Sequence, residues 1–173
     1  RSWRTGSGRR RWSVPRVRWH FLASTLVRGG AETMAVALAR GLRARGHTVR
    51  STLLREPGDL GETLESDYDG VVNLAPDRRP LLTPLPLRDR VRGDEALYVL
   101  DHENALLLSA AAAPLAGVDR RAVAVHTTGR TGGRPSLGRT ARAALAAFPV
   151  VLALSPNHAA YLTDTEGVAR DKL

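Results

Sequence analysis

Three stretches of this chain, 96–100, 122–125 and 150–154, are unbroken apolar runs, each giving way to polar residues and then to a helical pattern. A strand that is apolar on both faces is stable only if both faces are covered. Such strands alternating with helices predict a parallel sheet flanked by helices on its two faces.

The rest of the chain fits the same scheme. Val17, Trp19 and Phe21 alternate with Arg18 and His20, which reads as a first strand over 17–23. After Gly29 and Gly30, the residues Ala31, Met34, Ala35, Leu38 and Leu42 recur at helical spacing. Arg40, Arg43 and Arg45 lie opposite, and Gly46 supplies the stop. A second strand is expected at 48–54, broken by Pro57-Gly58. An acidic stretch over 59–69 then leads to a short third strand at 70–75. Residues 77–86 are Pro-rich, with room for a short helix near 87–91. Further helices are expected at 105–116, at about 137–147 and after Ser155-Pro156-Asn157, where Pro at a first helical position behind Ser is a start signal. Pro114 conflicts with its helix and should bend or loosen the final turn. The fold class is therefore α/β, a Rossmann-like parallel sheet with helices on both faces. One domain is expected over 16–173, behind a basic tail over 1–15.

The net charge of +9 invites a nucleic-acid reading, but its distribution argues against one. Arg1, Arg4, Arg9, Arg10, Arg11, Arg16 and Arg18 supply +7 within the first 20 residues, leaving +2 on the other 153. The folded part is thus close to neutral. The tail is too poor in apolar area to order itself. It reads either as a solvated extension or, through Trp3 and Trp12 among the arginines, as a contact for an anionic membrane surface. With no run of eighteen apolar residues and no apolar signal core, the expected location is cytoplasmic, with at most peripheral membrane contact. Cys is absent, which removes disulfides and cysteine nucleophiles.

Polar residues gather where strands end: Ser24-Thr25, Asp101-His102-Glu103, His126-Thr127-Thr128 and Ser155. In open α/β sheets that edge is where ligands bind. Gly29 and Gly30 let backbone approach a bound group, and the helix behind them offers unpaired N–H groups to an anion. The same pair also suits a tight turn without a ligand. Arg28 is within reach of a phosphate, although a loop arginine is commonly solvated. Neither G-x-G-x-x-G nor G-x-x-x-x-G-K-[ST] occurs, which counts against an unrelated nucleotide-binding protein. Ser155 reads as a helix cap. The five histidines lack metal-ligand spacing, so no metal is expected.

The order of these motifs resembles family-4-type retaining glycosyltransferases of the GT-B architecture. The likeness begins with the first strand, Gly29-Gly30-Ala31-Glu32, the Ala/Leu/Arg helix and Arg45-Gly46-His47-Thr48-Val49. It continues through Ala105-Leu106-Leu107-Leu108-Ser109, Leu115-Ala116-Gly117-Val118 and Val125-His126. It ends with Val151-Leu152-Ala153-Leu154-Ser155 and Gly167-Val168-Ala169-Arg170-Asp171-Lys172-Leu173. The match spans about 16–173 and corresponds to the N-terminal, acceptor-side half of the fold.

The resemblance implies a sugar transferred from a nucleotide-diphosphate sugar, as co-substrate rather than cofactor, to a sugar, lipid-linked or small-molecule acceptor. It also implies a C-terminal donor-binding domain, in cis or as a separate chain, without which this chain should be inactive. By position, His126 matches a histidine beside the donor sugar and is the candidate catalytic residue; the alternative is an imidazole satisfied by neighbouring backbone. The loop of Gly29 and Gly30 would face the inter-domain cleft, near donor phosphate and acceptor, with Arg28 either reaching a phosphate or solvated. His102 and Glu103 stand where an acceptor hydroxyl would be oriented, or simply begin a helix. Thr127 and Thr128 are candidate acceptor contacts; Arg130, with Arg134 and Arg139, would fit an anionic acceptor or belong to a solvated loop. A non-catalytic module binding a sugar, a phosphate or a partner chain is the competing reading.

Overall fold

The computed structural model describes residues 15–55, 57–60, 64–74, 83–100, 103–126 and 136–173. Six strands form one parallel sheet: β1 (Arg18–Ala23), β2 (Thr48–Leu53), β3 (Val71–Asn73), β4 (Ala96–Leu100), β5 (Arg120–Ala124) and β6 (Val150–Leu152), in the order β3-β2-β1-β4-β5-β6. The helices are α1 (Gly30–Ala44), α2 (Leu64–Asp67), α3 (Leu85–Val91), α4 (Glu103–Ala116), α5 (Arg139–Ala146) and α6 (Pro156–Asp164). This is the doubly wound Rossmann-like arrangement expected. The basic tail lies outside the described residues except for Pro15.

Handedness explains the layering. From β1 the chain steps outward to β2 and β3, then returns to β4 and steps the other way to β6. Right-handed crossovers therefore put the earlier helix α1 on one face and the later ones on the other. Phe21, Ala23, Val49, Leu53, Tyr98 and Leu100 meet Ala35, Val36 and Ala39 of α1 on the first face. Leu22, Leu97, Val99, Val123 and Val151 meet α3, α4 and α5 on the second.

Several expectations need correction. The buried stripe of α1 is Ala35, Val36 and Ala39, whereas Met34 is 57% and Leu38 is 38% exposed. Alanines at i and i+4 let the helix approach the sheet closely, which turns the larger pair outward. The acidic stretch contains α2, and its carboxylates are partners for the opposite side of α1. Arg40 donates to Asp67, and Arg43 Nε donates to Asp69 Oδ1 at 3.1 Å. Asp69 Oδ2 also accepts from Val49 N at 2.7 Å, tying this segment to β2. The helix α4 ends at Ala116 as expected, with Pro114 inside it, and begins two residues earlier, at Glu103. The missing N–H of Pro114 deprives only the carbonyl four residues back, close to the helix end, and its own carbonyl accepts from Gly117 N at 3.1 Å. Gly46, at φ +86°, closes α1 as expected, with its N–H donating to Arg43 O at 2.8 Å.

Candidate functional site

The chain leaves β1 and β4 in opposite directions, so a crevice opens outside their carboxyl ends. Leu22, Val99, Val123 and Val151 share one row of the register, and three residues further along their strands lie Thr25, His126 and Leu154. With strands about 4.8 Å apart, the ends of β1 and β5 stand about 10 Å from each other across β4. Glycine pair and histidine thus share one edge.

The loop leaving β1 is held from below. Thr25 Oγ1 accepts from Val27 N at 3.1 Å. Leu26 N donates to Pro57 O, and Leu60 N donates to Leu26 O, both at 3.0 Å. Between them Gly58 sits at φ +72°, and a Cβ there would fall 2.8 Å from Val27 N. Only glycine permits that approach. Beyond this clamp, Gly29 is the N-cap of α1, with no side chain capping it. A Cβ on Gly29 would lie 2.5 Å from Glu32 Oε2, so that carboxylate leans over the helix start. A Cβ on Gly30 would meet nothing within 4 Å. Arg28 is exposed beside them. The helix start thus has no capping side chain from Gly29, with the exposed Arg28 before it and the Glu32 carboxylate beside it.

Two residues beyond β5, His126 is half-buried, behind a fully buried Val125. Glu103 opens α4 and reaches across to α5, where its Oε1 accepts from Gly138 N at 3.0 Å. It thus begins one helix and serves the start of another. His102, Thr127, Thr128, Arg130 and Arg134 lie outside the described residues. Ser155 is the expected cap, accepting from His158 N at 3.2 Å. Among the described residues no group of three or more His, Cys, Asp and Glu side chains is placed to hold a metal ion, and no helix is long and apolar enough to cross a membrane.

Sequence reasoning missed Glu166. It is 4% exposed, and its Oε1 accepts from Ser136 N at 2.6 Å, Ser136 Oγ at 2.8 Å, Leu137 N at 3.3 Å and Tyr161 Oη at 2.5 Å. Burial pushes its carboxyl up, but these donors together hold it below the usual carboxylate range. One signal was readable: an acid just past the C-terminus of α6 opposes the helix dipole, so it needed another reason to be there. Gly58 was read only as a strand breaker.

Fold and rim together define a Rossmann-like α/β domain whose crevice lies at the topological switch point of the sheet. The family model for Glycosyltransferase Family 4 matches residues 28–173, and the chain belongs to that family. None of the curated proteins compared matches it. Among the solved structures that share its fold are these two. Anabaena HepE, crystallised in complex with UDP, is 19% identical with a TM-score of 0.69 over 90% of this chain. A glycosyltransferase from Rickettsia africae is 12% identical with a TM-score of 0.68 over 92%. The chain spans 42% of the length of each.

Proposed function

We propose that this chain is the acceptor-side domain of a retaining glycosyltransferase. It moves a sugar from a nucleotide-diphosphate sugar to an acceptor, and needs a donor-binding domain, in cis or as a separate chain, to do so. The observation that carries the reading is the uncapped α1 start and His126 on one edge of a family-4 domain. The UDP in the Anabaena structure makes uridine diphosphate sugars the donors to try first. The domain spans 16–173 and works in the cytoplasm, with the basic residues of 1–15 touching anionic lipid.

As the bond from the anomeric carbon to the diphosphate breaks, negative charge builds on the leaving oxygen and positive charge on the sugar. The N–H groups at Gly29 and Gly30, with Arg28, face the first. His126 hydrogen-bonds beside the donor sugar, and His102 orients the acceptor hydroxyl. Thr127, Thr128 and Arg130 hold the acceptor. Retention places the new bond on the face the diphosphate leaves, the hydroxyl proton passing to the departing phosphate oxygen.

The test is a panel of nucleotide sugars, offered to this chain alone and to this chain joined to a family-4 donor-binding domain. Transfer is expected only in the combination. There, His126→Ala should lower turnover about 100-fold, the scale of losing one preorganised donor, with the unfolding midpoint unchanged. Unchanged turnover removes His126 from the site. A folded combination that binds UDP and transfers nothing makes this a non-catalytic binding module.

A further inference from the structure

At the amino ends of the strands, opposite the rim that carries His126, lies a groove of about 410 Å³, within the roughly 300–1,000 Å³ of pockets that take small molecules. It crosses four neighbouring strands on the α1 face, from Val17 and Trp19 at the start of β1, over Ala96 of β4 and Ala122 of β5, to Val150 of β6. Trp19 is paired with Ala96 and Ala122 with Val150, so at about 4.8 Å per strand the groove is about 14 Å long. Its lining is almost all carbon. Over β5 and β6 no helix covers it among the described residues, and the apolar surface runs on to Leu152 and Leu154, 40% and 50% exposed. One polar group is stranded in the wall: the Trp19 indole N–H is buried, with no acceptor among the described residues. Cations stand at the mouth, Arg120 exposed and Arg121 half-buried, beside a single acid, Asp119. Arg16 and Arg18, both exposed, flank Val17.

We propose that this groove takes one acyl chain of an anionic membrane phospholipid, so that the face beside α1 rests against a bilayer. Hydrocarbon suits a lining of carbon, whereas a peptide would bring backbone N–H and C=O groups there with nothing to pair them. The ester carbonyl at the head of the chain supplies the acceptor that Trp19 lacks, and an indole with an apolar body and a polar tip belongs at such a boundary. Arg120 and Arg121 meet the phosphate, and the +7 of the first 20 residues adds attraction to an anionic leaflet. A second copy paired along β6 would lie beyond the end of the groove and leave Trp19, three strands away, uncovered. The inference shares anionic lipid with the proposed function. It moves the contact from the tail to the sheet, and it does not depend on sugar transfer.

The experiment uses the full chain carrying Trp3→Phe and Trp12→Phe, which leaves Trp19 as its one tryptophan. The probes are vesicles of mixed phosphatidylglycerol and phosphatidylcholine, with or without bromine on the acyl chains, since bromine quenches an indole only near contact. Trp19 emission should fall with the brominated vesicles relative to the plain ones. Raising salt should release part of the chain, because one acyl chain alone holds only marginally, while the chain that stays bound remains quenched. Val150→Glu sets a charge on the groove wall at a side chain already 43% exposed, and should lower vesicle binding about tenfold or more and remove the quenching. Should that variant not fold, Ala122→Leu, which fills the groove, takes its place. Binding without quenching, the chain being held by its arginines alone, overturns the proposal. So does quenching that neither variant alters, or equal quenching by pure phosphatidylcholine. Self-association with Trp19 unquenched overturns it too, and gives the face to a second copy. Sugar transfer by the combined enzyme, assayed with a soluble acceptor and no vesicles, reports on the proposed function separately, so either reading can fail alone.

Discussion

Asp94 carries more than its position before β4 would imply. His20 Nδ1–H donates to its Oδ2 at 2.8 Å, Arg50 Nη2 donates to its Oδ1 at 2.5 Å, and His20 Nε2 pairs with the Thr52 hydroxyl at 2.8 Å. His20, Thr52 and Asp94 are all buried, so this set joins β1, β2 and the approach to β4 through the core. Burial pushes the Asp94 carboxyl up, but His20 and Arg50 overcome it and hold it below the usual carboxylate range. A group whose pKa falls on folding stabilises the fold above its unfolded pKa, and that contribution fades as pH drops through the folded value. Asp94→Ala should therefore cost about 1–3 kcal/mol at neutral pH, the scale of leaving buried donors unpaired. Urea melts should show the gap to wild type narrowing as pH falls below about 4, where Asp94 of the unfolded chain takes up a proton that the folded carboxylate accepts only at lower pH. A gap constant with pH would deny the carboxylate this role. Gly30 behaves oppositely. Nothing lies within 4 Å of a Cβ there, so Gly30→Val should leave the unfolding midpoint nearly untouched while weakening donor-phosphate binding in the combined enzyme. Equal binding would reduce the pair to a turn.

Among the elements, the loops after β1 and β2 act as a unit. Gly58 is their contact point, with positive φ and no room for a side chain against Val27. Gly58→Ala should cost about 1–3 kcal/mol from backbone strain, read by chemical denaturation, and more from the contact with Val27. Because Leu26 is bonded on both sides of Gly58, the damage should appear as chemical-shift changes through residues 26–30. Shifts confined to 57–60 would show the loops to be independent. Little of this clamp is legible in the sequence, since it depends on two loops meeting, whereas the strands were legible because apolar runs announce themselves. Their ends were not: β5 starts at Arg120 because its backbone continues the ladder opposite Ala96, whatever the side chain prefers. The same limit explains α1. Its period was plain, but which flank went inward depended on how closely Ala35 and Ala39 let it approach the sheet. At the rim, glycines and strand-end polar residues stood out by type, while Glu166 finds Ser136 across 30 residues.

At the scale of the whole molecule, the same reversal that opens the crevice leaves part of the sheet uncovered. The helices following β4 and β5 lie on the face opposite α1, so on the α1 face the β5–β6 side has no helix over it among the described residues. Val150 and Leu152 point there and are 43% and 40% exposed, with Leu154 beyond them at 50%. Beside them Val17, Trp19, Ala96, Ala122 and Val150 line a groove of about 410 Å³. β6 is also an edge strand, with no charge between Val150 and Leu154 to discourage another strand from pairing. Apolar area and an open ladder in one place make the chain attractive to its own copies. Sedimentation velocity over a concentration series should show reversible self-association. Leu152→Lys should suppress it at little cost in stability, because the side chain is already near water. Salt should strengthen the association of the wild type, because the body is almost neutral while the arginines of the first 20 residues repel at low salt and are screened above it. A wild-type chain that stays monomeric across the series would show that this face does not pair with a second copy.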